Sequence, residues 1–471
     1  LIQPRLGDGV ARGAALVGLV GALALAPGSA SAGGYSLATR GVRSFSVGGA
    51  NVAGADGLDA FWMNPANLGD TQLAVDAGLL LFSATYTPPD GGASVSNESP
   101  PVPVPSLGFT WRVTDRLSLG LAAYAPWGAT VAFPATGAQR YQLVQSTGSF
   151  GLTVALGAAL RLGDLRLGAA FTNTLLRVKQ RLVLSAYTGL FGFAEDPSLD
   201  VLAEIDLDDP LNLGGTFGIG YTLGPVELGA MVQLPFEAGG DASFRQNKPS
   251  SVFFDPVEIK GDTARISVPF PVMARAGLGW RITDAVRVEA AFGFEDWSTQ
   301  QRLVVEPTNF ELIGVPAIGT YSVGPAVLDR RMQDTFSVHL GGSWRVHSRV
   351  ELRTGGFWER SSFTDATFSL ALPDDDKLAL ALGASVRFGD FRLDAAFGPV
   401  LQGTRVVTTS ALRQNNATNP AQAAIVGNGT YETGYWVGGL GFAWTPARAE
   451  AKRLEDARPT LDTSIEEDLA R

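Results

Sequence analysis

The chain has 471 residues, 45% hydrophobic and only 17% charged, with 57 glycines, no cysteine and a formal net charge of −10. Soluble domains carry roughly 25% charged residues, and an acidic balance with no basic stripe argues against a nucleic-acid partner. The lack of cysteine excludes disulfides and thiolate metal sites. Past the N-terminus no apolar run reaches the roughly 18–20 residues a membrane helix needs, which leaves a β-barrel as the one route across a bilayer.

The chain opens on a targeting signal. Arg5 and Arg12 precede the apolar run from Gly13 to Ala26, and Ala30-Ser31-Ala32 gives a small-residue cleavage site. These are the three parts of a secretory leader, expected over residues 1–32; a short core helix would not explain the small-residue end.

Next comes Gly48 to Leu68, apolar and glycine-rich but neither periodic like a helix nor alternating like a strand. Pro65 pushes Asn64 out of the helical region and fixes a bend at Asn64-Pro65-Ala66. Backbone groups in such a stretch need partners, and its aromatics Phe61 and Trp62 need cover, so something must enclose it.

From Gln72 onward apolar residues recur with period two, as in Leu107, Phe109, Trp111 and Val113. Fourteen strands are expected, at 72–86, 104–113, 116–125, 147–162, 165–184, 213–223, 226–236, 264–282, 285–300, 333–346, 349–363, 376–389, 391–407 and 431–444. Many run to ten or more residues, the length that crosses a bilayer at a tilt, where sandwich strands average about five to six. Six tight turns, such as Gly163-Asp164 and Gly389-Asp390, alternate with seven long polar loops. That alternation is the outer-membrane pattern, and an even strand number puts both termini on the short-turn, periplasmic side. An open sheet edge has no partners in hydrocarbon, so the sheet must close. Fourteen strands enclose more space than wall side chains fill, and residues 33–71 are the expected plug. The expected organisation is therefore leader 1–32, plug 33–71, barrel 72–444 and a charged periplasmic tail 445–471, read as a short helix, disorder or a partner-binding extension.

Gly48, Gly49, Ala50, Asp59, Trp62, Asn64, Pro65 and Ala66 resemble the N-terminal hatch of the FadL/TodX (OmpP1) family of outer-membrane transporters of hydrophobic compounds. Later stretches resemble the family in the same order, among them Ala125 to Gly128, Pro271 to Asp284, Arg353 to Ser361 and Leu372 to Gly383. The resemblance implies an all-β fold, a 14-stranded antiparallel transmembrane barrel plugged by an N-terminal hatch, in the outer membrane of a Gram-negative bacterium. It implies ligand capture outside, hatch rearrangement and sideways exit through the wall, passive and without a cofactor. Expected partners are a hydrophobic ligand, outer-membrane lipid and lipopolysaccharide, and the barrel-assembly machinery that would read the aromatic end of the last strand; the chain is expected to be a monomer.

No enzyme site is legible: His339 and His347 stand apart from any serine or acid pattern, and no metal-ligand spacing appears. Asp374-Asp375-Asp376 lacks calcium-loop spacing and reads as a solvated loop. For transport, Asn64, Pro65 and Ala66 are the gate candidates, and Phe61, Trp62 and Met63 either meet ligand or pack the plug against the wall. On the fifth strand an expected bulge near Thr172 to Thr174 would switch parity and turn Arg177, Lys179 and Arg181 inward. They resemble a basic run in fatty-acid-transporting members that meets the ligand carboxylate; the other reading is a surface run for lipopolysaccharide phosphates. Pro126, which lacks a ladder donor, and Gly128, which permits a kink, mark either a wall opening or a loop entry. Long-chain fatty acids are the first expectation for substrate, aromatic hydrocarbons the second, and a non-transport surface or adhesion barrel the third.

Overall fold

The computed structural model describes residues 39–446, apart from 127, 190, 316–318 and 417. The expected leader and all of the tail past Pro446 lie outside the described residues. Fourteen strands form the wall: β1 (Gln72–Thr87), β2 (Val102–Arg112), β3 (Leu117–Tyr124), β4 (Ser149–Leu162), β5 (Leu165–Ser185), β6 (Asp200–Leu223) and β7 (Val226–Gln233). They continue with β8 (Met273–Arg281), β9 (Val286–Glu295), β10 (Thr335–His347), β11 (Val350–Glu359), β12 (Lys377–Phe388), β13 (Phe391–Val407) and β14 (Gly429–Trp444). Each pairs antiparallel with its neighbour, and β14 returns to β1 from Leu73↔Trp444 to Thr87↔Thr430. The fourteen-stranded closed barrel expected from the alternation is present.

The wall works because its two faces meet different solvents. Leu156, Phe171, Leu340 and Leu440 point out and are 58%, 54%, 66% and 68% exposed; in lipid that exposure is favourable. Gly163 and Gly389 open two-residue turns with φ of 65° and 59°, a left-handed conformation that a Cβ resists.

Three expectations about the wall need correction. The expected strand 264–282 is two: Thr263–Phe270 pairs with Phe236–Gln246 and Arg302–Pro307 in a projection above the wall, and only Met273–Arg281 joins the barrel. Pro269 and Pro271 lie at the break, where neither can donate a ladder bond. The sixth strand begins at Asp200 rather than 213, pairing with β5 along its full length.

The third correction concerns parity. The register slip lies between Thr174↔Asn212 and Leu176↔Asp209, so the extra residue belongs to β6, not β5. Pro210 is the cause, because proline inside a sheet is confined to edges and bulges. Side-chain amides repair the ladder: Asn212 Nδ2 donates to Thr174 O at 2.8 Å and Asn173 Nδ2 to Pro210 O at 3.1 Å. Strand β5 therefore keeps its parity, with Thr174, Leu176 and Leu182 buried inward throughout.

Residues 39–71 lie inside the wall. A short helix, α1 (Val42–Ser46), is followed by a second, α2 (Ala60–Met63), and by one turn at Pro65–Asn67. Most of this segment is buried, and it is tied to strands around the barrel. Val42 N donates to Asp76 on β1 at 2.8 Å, Ala53 N to Glu289 on β9 at 2.8 Å, and Arg353 on β11 to Ser46 Oγ at 2.7 Å.

Candidate functional site

The wall makes room for the inner segment with glycine. A Cβ on Gly120 would lie 2.6 Å from Phe61 Cζ, on Gly157 2.6 Å from Leu68 Cδ1, and on Gly229 2.6 Å from both Ala53 Cα and Val52 O. These glycines fall in register, Gly120 opposite Gly157 and Gly229 opposite Gly277. They form a floor of bare backbone that takes the segment's own backbone at Gly229 and the side chains of Phe61 and Leu68 at Gly120 and Gly157. The glycine content is visible in the sequence, and the signal that would locate the floor is glycine at the inward parity of adjacent strands.

Asn64 carries the bend. Its Nδ2 donates to Val52 O and to Ile219 O of β6, both at 3.0 Å, and its Oδ1 accepts from Ala66 N at 3.1 Å. One side chain thus caps the turn at Pro65, ties it to the preceding loop and anchors it to the wall. Ala66 and Pro65 abut the wall where Gly168 and Gly218 are paired.

Phe61, Trp62 and Met63 are all buried. Phe61 packs on the β3 and β4 glycines, and Trp62 meets Tyr124 edge-on at 5.0 Å while donating to Arg40 O at 3.1 Å. Met63 Sδ accepts from Arg275 on β8 at 3.6 Å. In this conformation all three seal the plug to the wall.

Arg177, Lys179 and Arg181 do not face inward. Parity on β5 is unbroken, so they share the outer face with an acidic ladder on β6. Arg177 pairs with Asp208 at 3.3 Å, Lys179 with Asp206 at 3.0 Å and Arg181 with Glu204 at 2.9 Å. A cationic residue that does line a largely apolar cavity, Arg40, is one that sequence reasoning missed. A cavity of about 50 Å³ lies between α1 and the wall, lined by Val42, Phe45, Leu80, Val104, Phe357 and Tyr435, with Arg40 among its other lining residues. Arg40 is buried. Burial, then the nearby Arg275, lower its pKa to about 10, so it stays charged at neutral pH. Beyond this cavity the interior is broadly apolar, with Tyr86, Phe133, Leu143, Leu176, Phe368 and Tyr431 in one buried cluster.

The wall is incomplete beside that cavity. Val113 N donates to Leu117 O of β3, so by period two the odd positions of β2 turn their backbone toward β3. Pro103 and Pro105 are odd and have no N–H to give. Strand β3 has ended there: its last residue, Tyr124, lies opposite Ser106, and Gly128 already pairs with Phe150 of β4. Pro126 is buried in the span between. Two prolines on β2 and one past β3 thus flank a seam with no ladder across it.

The remaining polar groups are structural. His339 is buried, with Nδ1 2.7 Å from Gly48 O and Nε2 2.8 Å from Ser337 Oγ, while His347 is exposed. Asp374, expected in a solvated loop, is buried instead, accepting from Ser362 N and Oγ at 2.8 and 2.7 Å and bridging Lys377. Burial pushes its carboxyl up, but the Lys377 ammonium outweighs this and holds it below the ordinary range. Among the described residues no group of three or more His, Asp or Glu could hold a metal.

Comparison with known proteins agrees with this architecture. The profile of the outer membrane protein transport protein family (OMPP1/FadL/TodX) matches residues 23–437. A candidate outer membrane protein of Neisseria meningitidis serogroup B is 22% identical over 417 residues, covering 79% of this chain and 87% of that one. A crystal structure of a Pseudomonas aeruginosa FadL homologue superposes with a TM-score of 0.70 at 14% identity, covering 88% of this chain and 99% of the other. The toluene transporter TodX of P. putida gives 0.64 at 16%, covering 88% and 100%. At these identities the superpositions speak to the fold alone.

Proposed function

Since the chain belongs to the OMPP1/FadL/TodX family of outer-membrane transport proteins for hydrophobic compounds, we propose that it passes long-chain fatty acids passively, by movement of the inner segment and lateral exit. The observation that carries this reading is the cavity at α1. Its volume of about 50 Å³ is a third of the roughly 150 Å³ apolar cavity that admits benzene. No substrate fits until α1 withdraws, so binding and gate movement are one event. Arg40 supplies a guanidinium for a carboxylate in a lining that also holds the polar side chains of Thr39 and Asp76, the latter already accepting from Val42 N. Withdrawal of α1 strains the Asn64-Pro65-Ala66 anchor, the proposed hinge of the hatch. The seam bounded by Pro103, Pro105 and Pro126 adjoins the cavity through Val104 and is the proposed exit into the membrane.

In the proposed orientation the short turns and both termini face the periplasm, and the long loops face outward. Arg177, Lys179 and Arg181 are assigned to holding the β5–β6 hairpin, since each already has a carboxylate. A second reading, monoaromatic hydrocarbon uptake, is favoured by the aromatic lining from Phe45, Phe357 and Tyr435 and by the toluene and monoaromatic channels among the superposable structures.

One experiment separates the two: oleate and toluene uptake by cells lacking their own transporter, with this protein or its Arg40→Gln variant assembled in the outer membrane. Fatty-acid transport predicts oleate uptake that falls about tenfold in the variant. Toluene uptake indifferent to Arg40, with no oleate uptake, would establish the second reading.

A further inference from the structure

At the short-turn end of the barrel an arginine holds the inward position on eight strands, β2, β4, β5, β8, β9, β10, β12 and β13. The motif is an apolar residue facing lipid beside an arginine facing the lumen, as in Trp111-Arg112, Leu160-Arg161, Trp344-Arg345 and Phe391-Arg392. Two cavities, of about 380 and 320 Å³, lie between this belt and the underside of the plug, and both are lined by Asp56, Arg166 and Arg387. The protein as a whole is acidic, at −10, so the belt is a local reversal of sign.

Half of the belt is paired with carboxylates of the wall and of the inner segment. Arg112 pairs with Asp70 at 3.0 Å, Arg281 and Arg287 with Glu227 at 3.1 and 2.9 Å, and Arg392 with Asp394 at 2.9 Å. Arg161, Arg166, Arg345 and Arg387 make no ion pair among the described residues. Three of these four, Arg161, Arg166 and Arg387, line the 380 Å³ cavity. Facing the lumen, they are turned away from the lipid around the barrel. The same cavity is lined by five arginines against the carboxylates of Asp56, Asp70 and Asp390, an excess of positive charge; an anion placed among the guanidinium groups relieves their mutual repulsion while accepting from planar forks. Asp56, on the inner segment, lines both cavities, and its ion pair is with Arg43 of α1, which lines the 320 Å³ cavity, and not with the belt.

We propose that this vestibule is an oxyanion site, in which Arg161, Arg166 and Arg387 take a phosphate or carboxylate group arriving beneath the plug. The approach from the periplasm rests on the orientation proposed above; the site itself does not. A volume of about 380 Å³ holds a headgroup or free ion with several waters, at roughly 30 Å³ each, but no long acyl chain.

The test is calorimetric titration of the purified full-length protein in a nonionic detergent at low ionic strength. The probes are inorganic phosphate, glycerol phosphate and acetate. Saturable binding of at least one is expected, weakened about tenfold or more in the Arg166→Gln/Arg387→Gln variant and unchanged in Arg349→Gln, which alters a turn arginine outside the belt. Raising salt from about 50 to about 200 mM is expected to weaken it several-fold. Preference for phosphate over glycerol phosphate assigns a free ion, the reverse a headgroup, and equal acetate binding a carboxylate. No saturable binding of any probe, or equal binding by the double variant, overturns the proposal. Should the double variant fail to assemble, Arg161→Gln carries the same expectation at smaller amplitude. Labelling of an Asp164→Cys variant by an impermeant maleimide on intact cells would refute the orientation alone, leaving the titration as it stands.

Discussion

Replacing Gly229 by alanine sets two effects of opposite sign against each other. An added Cβ would meet Ala53 Cα and Val52 O at 2.6 Å and Ala53 N at 2.9 Å, all backbone atoms that no rotamer change can move. Overpacking costs roughly 1–3 kcal/mol, and with only backbone to yield the upper end applies. In the wall, alanine is at no disadvantage: the position is ordinary strand, and losing glycine's unfolded freedom stabilises by about 0.4–1 kcal/mol. The barrel should therefore assemble as before while the seated plug loses about 3 kcal/mol, a drop of roughly a hundredfold in the ratio of seated to unseated forms. Hydrogen exchange reads this directly, since the Ala53 amide, bonded to Glu289, would lose protection while the wall amides of β7 and β8 keep theirs. Gly215→Ala is the control, because its added Cβ would meet nothing nearer than 3.6 Å. An Ala53 amide as protected in Gly229→Ala as in the parent, in a well-assembled barrel, would refute the close-approach reasoning.

Three further outcomes are expected. Burial, reinforced by the neighbouring Asp76 and opposed by the Ser44 hydroxyl and Arg43, raises the Asp59 carboxyl to about 8. The seated plug thus binds this proton more tightly than the unseated one; that stabilisation is full below about pH 4 and lost as pH climbs through about 8. Exchange around residues 44–59, corrected for its intrinsic rate, should quicken between about pH 5 and pH 9, and Asp59→Asn should flatten the profile; a flat parent profile counts against it. Lys377 is fully buried between Asp374 and Glu359, the latter 2.9 Å away, so Lys377→Met strands two carboxylates and should cost about 3–5 kcal/mol. A heat-modifiability gel would register this as a lower unfolding midpoint, and an unmoved midpoint would mean the acids are protonated or hydrated. Replacing both Pro103 and Pro105 by alanine returns two donors to the seam. Substrate uptake should fall by about threefold with surface assembly unchanged, whereas unchanged uptake would move the exit elsewhere.

The wall was legible because its code is short-range. Alternation of period two, a turn every second connection and the length of the strands are all local, and together they require closure. What the sequence hid were choices made between strands. Parity on β5 was misjudged because the apolar pattern Leu176, Val178, Leu182, Leu184 is compatible with lipid or with a buried interior. Only pairing with β6 shows that Pro210 takes the extra residue and that Glu204, Asp206 and Asp208 claim the basic run. Arg40 was invisible for the opposite reason: nothing local distinguishes it from Arg43, three residues on, as the arginine that lines the cavity at α1.

The same contrast explains why the glycine floor and the arginine belt escaped a strand-by-strand reading. Each belongs to a ring of positions at one height in the barrel, contributed by residues tens to hundreds apart in sequence. Inward glycine lets the plug's backbone lie flat on the wall, and just beneath it inward arginine replaces bare backbone with charge. The inner segment is held there by backbone contact at Gly229, by hydrogen bonds at Val42, Ala53 and Asn64, and by Phe61, Trp62 and Leu68 packed against the wall. That close approach depends on glycines from several strands at once, so no single strand announces it.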